Sequence, residues 1–406
     1  MTQTEPQAPV AALPATTEEW LARAAEVAAV LAETAVERDR PGREPYDEVA
    51  LLKGSGLPAL LVPAAYGGGG QTVATALEAV RVVARADASV GQLLGYSYVN
   101  QTKLWFNGSE EQRDRWLTPT AEQRWLWGGA VNPLDDGVTL ERAAGGFTAH
   151  GRRTFTTGFS VADANILSAR RSDTGAAVQA VLGPDRDRIT LGGDWDNLGM
   201  RLSASGSVTF DGTFVAERDL LATGDGSVGA GPSPRQTLLT PEIQTMFAHL
   251  YLGITEGALE TAAAYTRETT RPWVLSGLQS AAEDPYILQT YGRLVARAKS
   301  VAALAAQVAA QLDGAIAAGD ALTREQRGAL AAEVAALKVV ATELALDTTT
   351  RVFEVTGARA TANRVGLDRF WRNARTHTLH DPVAWKEREV GAHFLTGVLA
   401  PPTLYT

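Results

Sequence analysis

The 406-residue chain contains no cysteine. Disulfides, thiolate nucleophiles, thiolate metal sites and haem attachment through Cys are thereby excluded, and the absence fits a cytoplasmic protein. Positive charge is the scarcer sign: 37 Lys and Arg stand against 46 Asp and Glu, a formal net charge of −9. The arginines are spread among acids, so no nucleic-acid partner is expected. No run of about 18 apolar residues occurs, and no membrane span is expected. The start, MTQTEPQAPVAALPATTEEW, lacks the basic and then apolar stretches of a secretory signal. Residues 1–15 read as a disordered tail. Histidine is sparse at five residues. His377 and His380 are three apart, but no third ligand joins them at a recognisable spacing, so no metal site is expected. There is no internal repeat. YGGGG has no strand before it and no GK[ST] after it, which makes it a turn rather than a phosphate loop.

What is present falls into three parts. Residues 16–124 read as an N-terminal helical domain. Thr16 and Glu19 have capping-box spacing, and Trp20, Leu21, Ala24, Val27, Ala28 and Leu31 recur at helical intervals. Pro41-Gly42 breaks this helix, and a shorter one with Val49, Leu51 and Leu52 stops at Gly54 and Gly56. After an irregular loop at Pro63 and Gly67 to Gly70, helices are predicted over 73–85 and 89–106. A third, capped by Ser109 and Gln112, should end near Leu117. Residues 125–222 contain about six short segments rich in Val, Ile, Thr and Phe, parted by Gly, Asp, Asn and Pro. They predict antiparallel strands in a small barrel or sandwich. Beyond the linker GDGSVGAGPSPR, residues 234–406 hold long Ala- and Leu-rich runs at 241–269, 285–314 and 323–356. Rods of about 30 residues are roughly 45 Å long and must bury their apolar faces on one another, which predicts a helical bundle. Their Ala-rich faces also suit subunit interfaces. The fold class expected is mostly α with a central β module.

Five local motifs, in order over about 350 residues, resemble the acyl-CoA dehydrogenase family. They are LLVPAAYGGGG, RRTFTTGFSVADANILSAR, WDNLGMRLSASGSVTFDGTFV, FEVTGARAT and RFWRNARTHTLHDPV. The resemblance implies an N-terminal helical domain, a β barrel or sandwich and a C-terminal four-helix bundle. Two departures bear on chemistry. Leu379-His380-Asp381-Pro382 stands where the dehydrogenases commonly have Tyr-Glu-Gly-Thr, so Asp381 replaces their catalytic Glu. Thr356-Gly357-Ala358-Arg359 replaces a His-Gly-Gly-x-Gly turn beside adenosine, which suits FMN better than FAD. The run from Arg372 to Val383 is similar to the flavin monooxygenases of this fold, which oxidise dibenzothiophene, sulfones and amines.

That resemblance implies reduced FMN from a separate flavin reductase, with O2 as co-substrate. A C4a-hydroperoxyflavin would oxygenate a small hydrophobic substrate at sulfur, nitrogen or an electron-rich ring. The lack of a Rossmann fingerprint agrees. It also implies a homotetramer with the flavin site completed across subunits. Two other readings are an FAD-dependent acyl-CoA dehydrogenase with Asp381 as base, and a non-catalytic helical scaffold. His380 is expected to donate a hydrogen bond to the peroxide; the plainer reading is a solvated helix-end imidazole, which is preferred for His377. Asp381 is expected either to orient His380 or act as a base, or simply to cap a helix. Asn132, Thr156 and Thr157 are expected at the flavin ring, with strand propensity the alternative for Thr156. Trp195 is expected to wall the flavin or fill the core, and Thr356 and Asn373 to contact the cofactor. Arg271 would reach a flavin phosphate in a neighbouring subunit, or be a helix-end cation. Tyr96, Ser97 and Tyr98 lie on the helix expected to cover the substrate.

Overall fold

A computed structural model describes residues 12–132, 134–221 and 232–406. Most of the expected tail and the glycine-rich part of the linker lie outside the described residues. The N-terminal helices are α1 (Thr17–Glu33), α2 (Ala35–Asp39), α3 (Tyr46–Ser55), α4 (Val73–Ala86), α5 (Ala88–Asn107) and α6 (Glu110–Gln123). Thr16 and Glu19 form the capping box that starts α1, which buries Trp20, Ala24, Val27 and Leu31. Asp87 breaks α4 from α5 and caps the latter by accepting from the Ser89 and Val90 amides. α6 runs six residues past its expected end, through Pro119. Tertiary contacts override the proline there: Thr120 donates to the Trp116 carbonyl at 2.6 Å and accepts from the Trp127 indole at 2.9 Å.

Among the described residues the β module has eight strands in one sheet. They are β1 (Trp127–Ala130), β2 (Val138–Ala143), β3 (Gly146–Arg153), β4 (Ala164–Arg171), β5 (Ala177–Leu182), β6 (Ile189–Leu191), β7 (Val208–Ala216) and β8 (Leu220–Leu221). The order is β6-β7-β3-β2-β4-β5-β8, with β1 also on β4. Antiparallel pairing was expected throughout, yet β1 and β2 both run parallel to β4. They divide it lengthwise: β1 takes Ala164 to Leu167 and β2 takes Arg170 and Arg171. Alternate residues such as Val138, Leu140, Phe147, Ala149, Leu167 and Phe210 form the module's own core.

The bundle contains α7 (Leu239–Glu268), α8 (Pro285–Ala318), α9 (Arg324–Thr356), α10 (Asp368–His377) and α11 (Val383–Thr396). One hydrophobic core joins it to the N-terminal helices, with Trp20, Val80 and Leu94 in the same cluster as Phe247, Leu250, Leu294 and Leu337. The segment Pro285–Ala321 is long and apolar enough to cross a membrane by composition, which the sequence reading did not anticipate. Here it packs on α7 and α9, with only 33 % of its most apolar stretch buried.

Candidate active site

Helix α5 is the wall shared by the β module and the bundle. On one face, Ser89 accepts from the Leu202 amide (3.3 Å), Ser97 accepts from the Trp127 amide (3.1 Å), and Asn100 donates to the Gly128 carbonyl (3.1 Å). These residues recur near multiples of the helical repeat, so residue 96 is turned about 100° away from Ser97. That turn brings the Tyr96 hydroxyl to 3.5 Å from His380 Nε2. Ser97 and Tyr98, also expected over the substrate, are turned inward. Ser97 is fully buried against β1, and the Tyr98 hydroxyl donates to the Leu57 carbonyl at 2.8 Å. The same helical geometry that turns position 96 toward His380 commits Ser97 and Tyr98 to the core.

His380 follows α10, with its amide on the His377 carbonyl at 3.0 Å. Its Nδ1 lies 3.2 Å from Asp381 Oδ1. Asp381 is 5 % exposed. It accepts further hydrogen bonds from Lys338 Nζ (3.2 Å) and Gln244 Nε2 (3.4 Å). Burial pushes its carboxyl up, but the hydrogen bond from His380 and the Lys338 charge outweigh this and hold it well below the usual carboxylate range. Asp381 is not a helix cap: Pro382 occupies that position for α11 with no side-chain cap bond.

Lys338 is 1 % exposed, and its Nζ also donates to Gln244 Oε1 at 2.9 Å. It sits 4.5 Å from the centre of the Phe247 ring. Burial pulls this ammonium down to about 8 against the attraction of Asp381. His377 is buried, contrary to its reading as a solvated helix end. Its Nδ1 is 3.0 Å from the Tyr251 hydroxyl, and its ring stacks on His380 with centroids 6.1 Å apart. Burial holds His377 well below its ordinary value, in the neutral form. Its Nε2 has no hydrogen-bond partner among the described residues.

The residues expected at the flavin ring from the β module lie in the chain after β3 and the chain before β7. Thr156 donates to the Gly206 carbonyl from both its amide (3.2 Å) and its hydroxyl (2.6 Å). The Thr157 and Ser205 hydroxyls are 2.9 Å apart. Phe155, Met200 and Ala204 all have positive φ, at 55°, 55° and 47°. Strain of this kind gathers at functional sites. Phe155 is nonetheless 63 % exposed, and Trp195 meets it edge-on at 6.0 Å. The Trp195 indole donates to the Met200 carbonyl at 2.8 Å, while Asn373 accepts from the Met200 amide at 2.7 Å.

The remaining predicted residues are more dispersed. Asn132 is half-buried and its side-chain oxygen accepts from the Leu134 amide at 3.1 Å. Thr356, expected at the cofactor, spends its hydroxyl on the Val352 carbonyl within α9 at 2.8 Å. Arg271 is exposed in the loop after α7. Arg359 donates to the Thr269 carbonyl at 2.8 Å, in the same neighbourhood. A cavity of about 540 Å³ is lined by Asp39, Arg201, Asp368 and Arg372 among others, the arginines next in sequence to Met200 and Asn373. Its arginines are engaged: Arg201 donates to the Asp39 and Arg40 carbonyls, and Arg372 pairs with Asp39 and Asp368.

Sequence reasoning missed Lys338, Gln244, Phe247 and Tyr251. A signal for Lys338 was present: the apolar Ala331, Val334, Ala341 and Ala345 stand at helical spacing from it, so the lysine falls on an inward face.

Residues 16–124 match the model of the acyl-CoA dehydrogenase N-terminal domain, and residues 245–385 match that of the acyl-CoA dehydrogenase C-terminal domain. The chain belongs to the acyl-CoA dehydrogenase family, on the branch that holds the FMN-dependent monooxygenases. It is 40 % identical to the dibenzothiophene monooxygenase of Rhodococcus erythropolis over 376 residues, covering 90 % of each chain. It is 39 % identical to SfnC of Pseudomonas putida, described as a probable FMNH2-dependent monooxygenase, covering 95 % of this chain and 97 % of that one. Among solved structures it resembles the methanesulfinate monooxygenase MsuC of Pseudomonas fluorescens, with a TM-score of 0.91 and 39 % identity over 95 % of this chain and 99 % of that one.

Proposed function

We propose that the chain is a two-component flavin monooxygenase that uses reduced FMN and O2 to oxygenate a small hydrophobic substrate at sulfur, nitrogen or an aromatic ring. One observation supports this over dehydrogenation. The carboxylate at the family's base position, Asp381, is buried and held by Lys338, Gln244 and His380. A group so enclosed and stabilised as an anion is poorly suited to pull a proton from a substrate carbon. The partly exposed group in front of it is the His380 imidazole, with Tyr96 beside it.

The β side fits a flavin. An exposed aromatic held at positive φ has no core to fill, whereas a flat ring laid against Phe155 and Trp195 would cover it. Thr156, Thr157, Asn132 and Asn373 are the polar residues we place around that ring, with Thr356 further back. Arg271 and Arg359 would hold the phosphate. Bound reduced FMN would supply the electrons that send one oxygen atom of O2 to substrate and the other to water. His380, with its Nδ1 proton on Asp381, would hold a proton at Nε2 when charged and orient the reacting oxygen. Tyr96 would share that hydrogen bond, and the Phe247 ring would limit access of water from behind. The uncovered apolar face of α8 supports a homotetramer. Reduced FMN would come from a separate reductase, with both proteins in the cytoplasm.

Similar identity to relatives acting on dibenzothiophene and on methanesulfinate leaves the substrate to experiment. Anaerobically reduced FMN and the protein would be mixed with ¹⁸O2 and each of these two probes. Expected is one ¹⁸O atom transferred to the probe per reduced FMN productively oxidised, with no nicotinamide present. Retention of FAD, bleached by an acyl-CoA, would instead establish a dehydrogenase.

A further inference from the structure

Lys338 has no part in the chemistry just described, yet its setting is elaborate. It lies midway along α9 with its ammonium among Phe247, Tyr251, Gln244 and Asp381. A methionine would fill a similar volume without desolvating a charge. The ammonium donates to Gln244 Oε1 and to Asp381 Oδ1, and a third face lies over the Phe247 ring. Gln244 closes the arrangement by donating to Asp381 Oδ2 at 3.4 Å. The carboxylate is therefore gripped at both oxygens by α7 and α9. Oδ1, the oxygen held by Lys338, is also the one that meets His380 Nδ1 at 3.2 Å.

We infer that Lys338 is a positioning residue: it anchors the Asp381 carboxylate so that His380 keeps its Nδ1 proton inward and its Nε2 toward Tyr96, and its charge offsets that of the carboxylate. Its bearing on catalysis rests on the proposed function; its effect on His380 does not. Two opposite charges meet the imidazole through one oxygen atom. Removing the cation leaves the anion to stabilise imidazolium, and removing the anion does the reverse. The other groups facing this cluster are Tyr96 on α5, Tyr251 on α7, Arg375 and His377 on α10, Lys386 on α11 and Tyr405 in the C-terminal segment. None of them is a cation bonded to Asp381 Oδ1, so none can substitute for the lysine.

The test is an imidazole ¹⁵N NMR titration of the full-length, flavin-free protein, with His380→Gln used to assign the His380 signal among the five histidines. Lys338→Met is expected to raise the His380 midpoint by about one pH unit, the effect of one partly screened charge. Asp381→Asn is expected to lower it, and Lys338→Arg to leave it near wild type. A lysine that only fills space would give no such opposite pair. Unchanged midpoints, or shifts of the same sign in both variants, overturn the inference. Should Lys338→Met not fold, Lys338→Gln, which can still hydrogen-bond its neighbours, carries the same upward expectation. No flavin or substrate is present, so a chain that shows opposite shifts but oxygenates neither probe keeps this network and loses only the proposed reaction.

Discussion

Glu242, in the first turn of α7, is 1 % exposed, and its Oε2 has no hydrogen-bond partner among the described residues. Burial pushes its carboxyl from 4.5 up to about 8, against a hydrogen bond from Thr102 and the charge of Lys103. Lys103 is itself pulled down to about 8 by burial. For both groups, loss of water outweighs their mutual attraction, so the fold holds Glu242 as the neutral acid. A pKa raised in the folded state contributes stability that is fully present below 4.5 and is lost as pH rises through about 8. At about 1.4 kcal/mol per pH unit, this window amounts to on the order of 5 kcal/mol. With an unfolding entropy of about 2 cal/mol/K per residue, that is roughly 6 °C in melting temperature for a chain of this length. Glu242→Gln keeps the shape of the neutral acid and cannot titrate. Thermal melts at matched scan rate from pH 5 to 9 should show the variant gaining on wild type by about 6 °C, then no further. A gap that stays constant across the range would refute a neutral Glu242.

Tyr96→Phe removes the hydroxyl beside His380 while keeping the ring against Phe247, 6.3 Å away. Its melting temperature should hold, while product formed per O2 consumed falls several-fold and hydrogen peroxide rises, read with an oxygen electrode and catalase. Tyr98→Phe tests the opposite assignment: losing the bond to the Leu57 carbonyl should cost about 1–2 kcal/mol in denaturant unfolding and leave that coupling ratio unchanged.

The parts of the fold written in periodicity were legible in the sequence. The capping boxes at Thr16 and Ser109 start α1 and α6 where expected, and the three long bundle helices begin within two residues of their predicted starts. Pairing was less legible, because β1 and β2 share one edge of β4, a choice made by the whole sheet rather than by any one strand. The site divides the same way. His380 and Asp381 could be found because they stand in a contiguous motif. Lys338, Gln244 and Phe247 lie on two other helices and meet Asp381 only after the bundle closes. Residues 96 to 98 show a second limit: a motif identifies a stretch of helix, but its rotation decides that Tyr96 faces the site while Ser97 and Tyr98 face the core.

Rotation and pairing do not account for Phe155. It lies at φ 55° and 63 % exposed, in a loop bonded to a second loop that holds Met200 and Ala204 at positive φ. Left-handed backbone costs a non-glycine residue about 1 kcal/mol, and an exposed ring recovers little of it by burial. A fold selected for stability alone would place glycine there. Phe155→Gly should therefore leave the melting temperature unchanged or slightly raised, since backbone relief offsets the lost contact with Trp195 at 6.0 Å. If the ring is the platform for flavin, affinity should move the other way. Titration with oxidised FMN, followed by quenching of its fluorescence, should show binding weakened by about ten-fold, the equivalent of about 1.4 kcal/mol of lost stacking. Unchanged FMN affinity with a lower melting temperature would make Phe155 a structural residue and would leave the strain of this loop without a flavin to explain it.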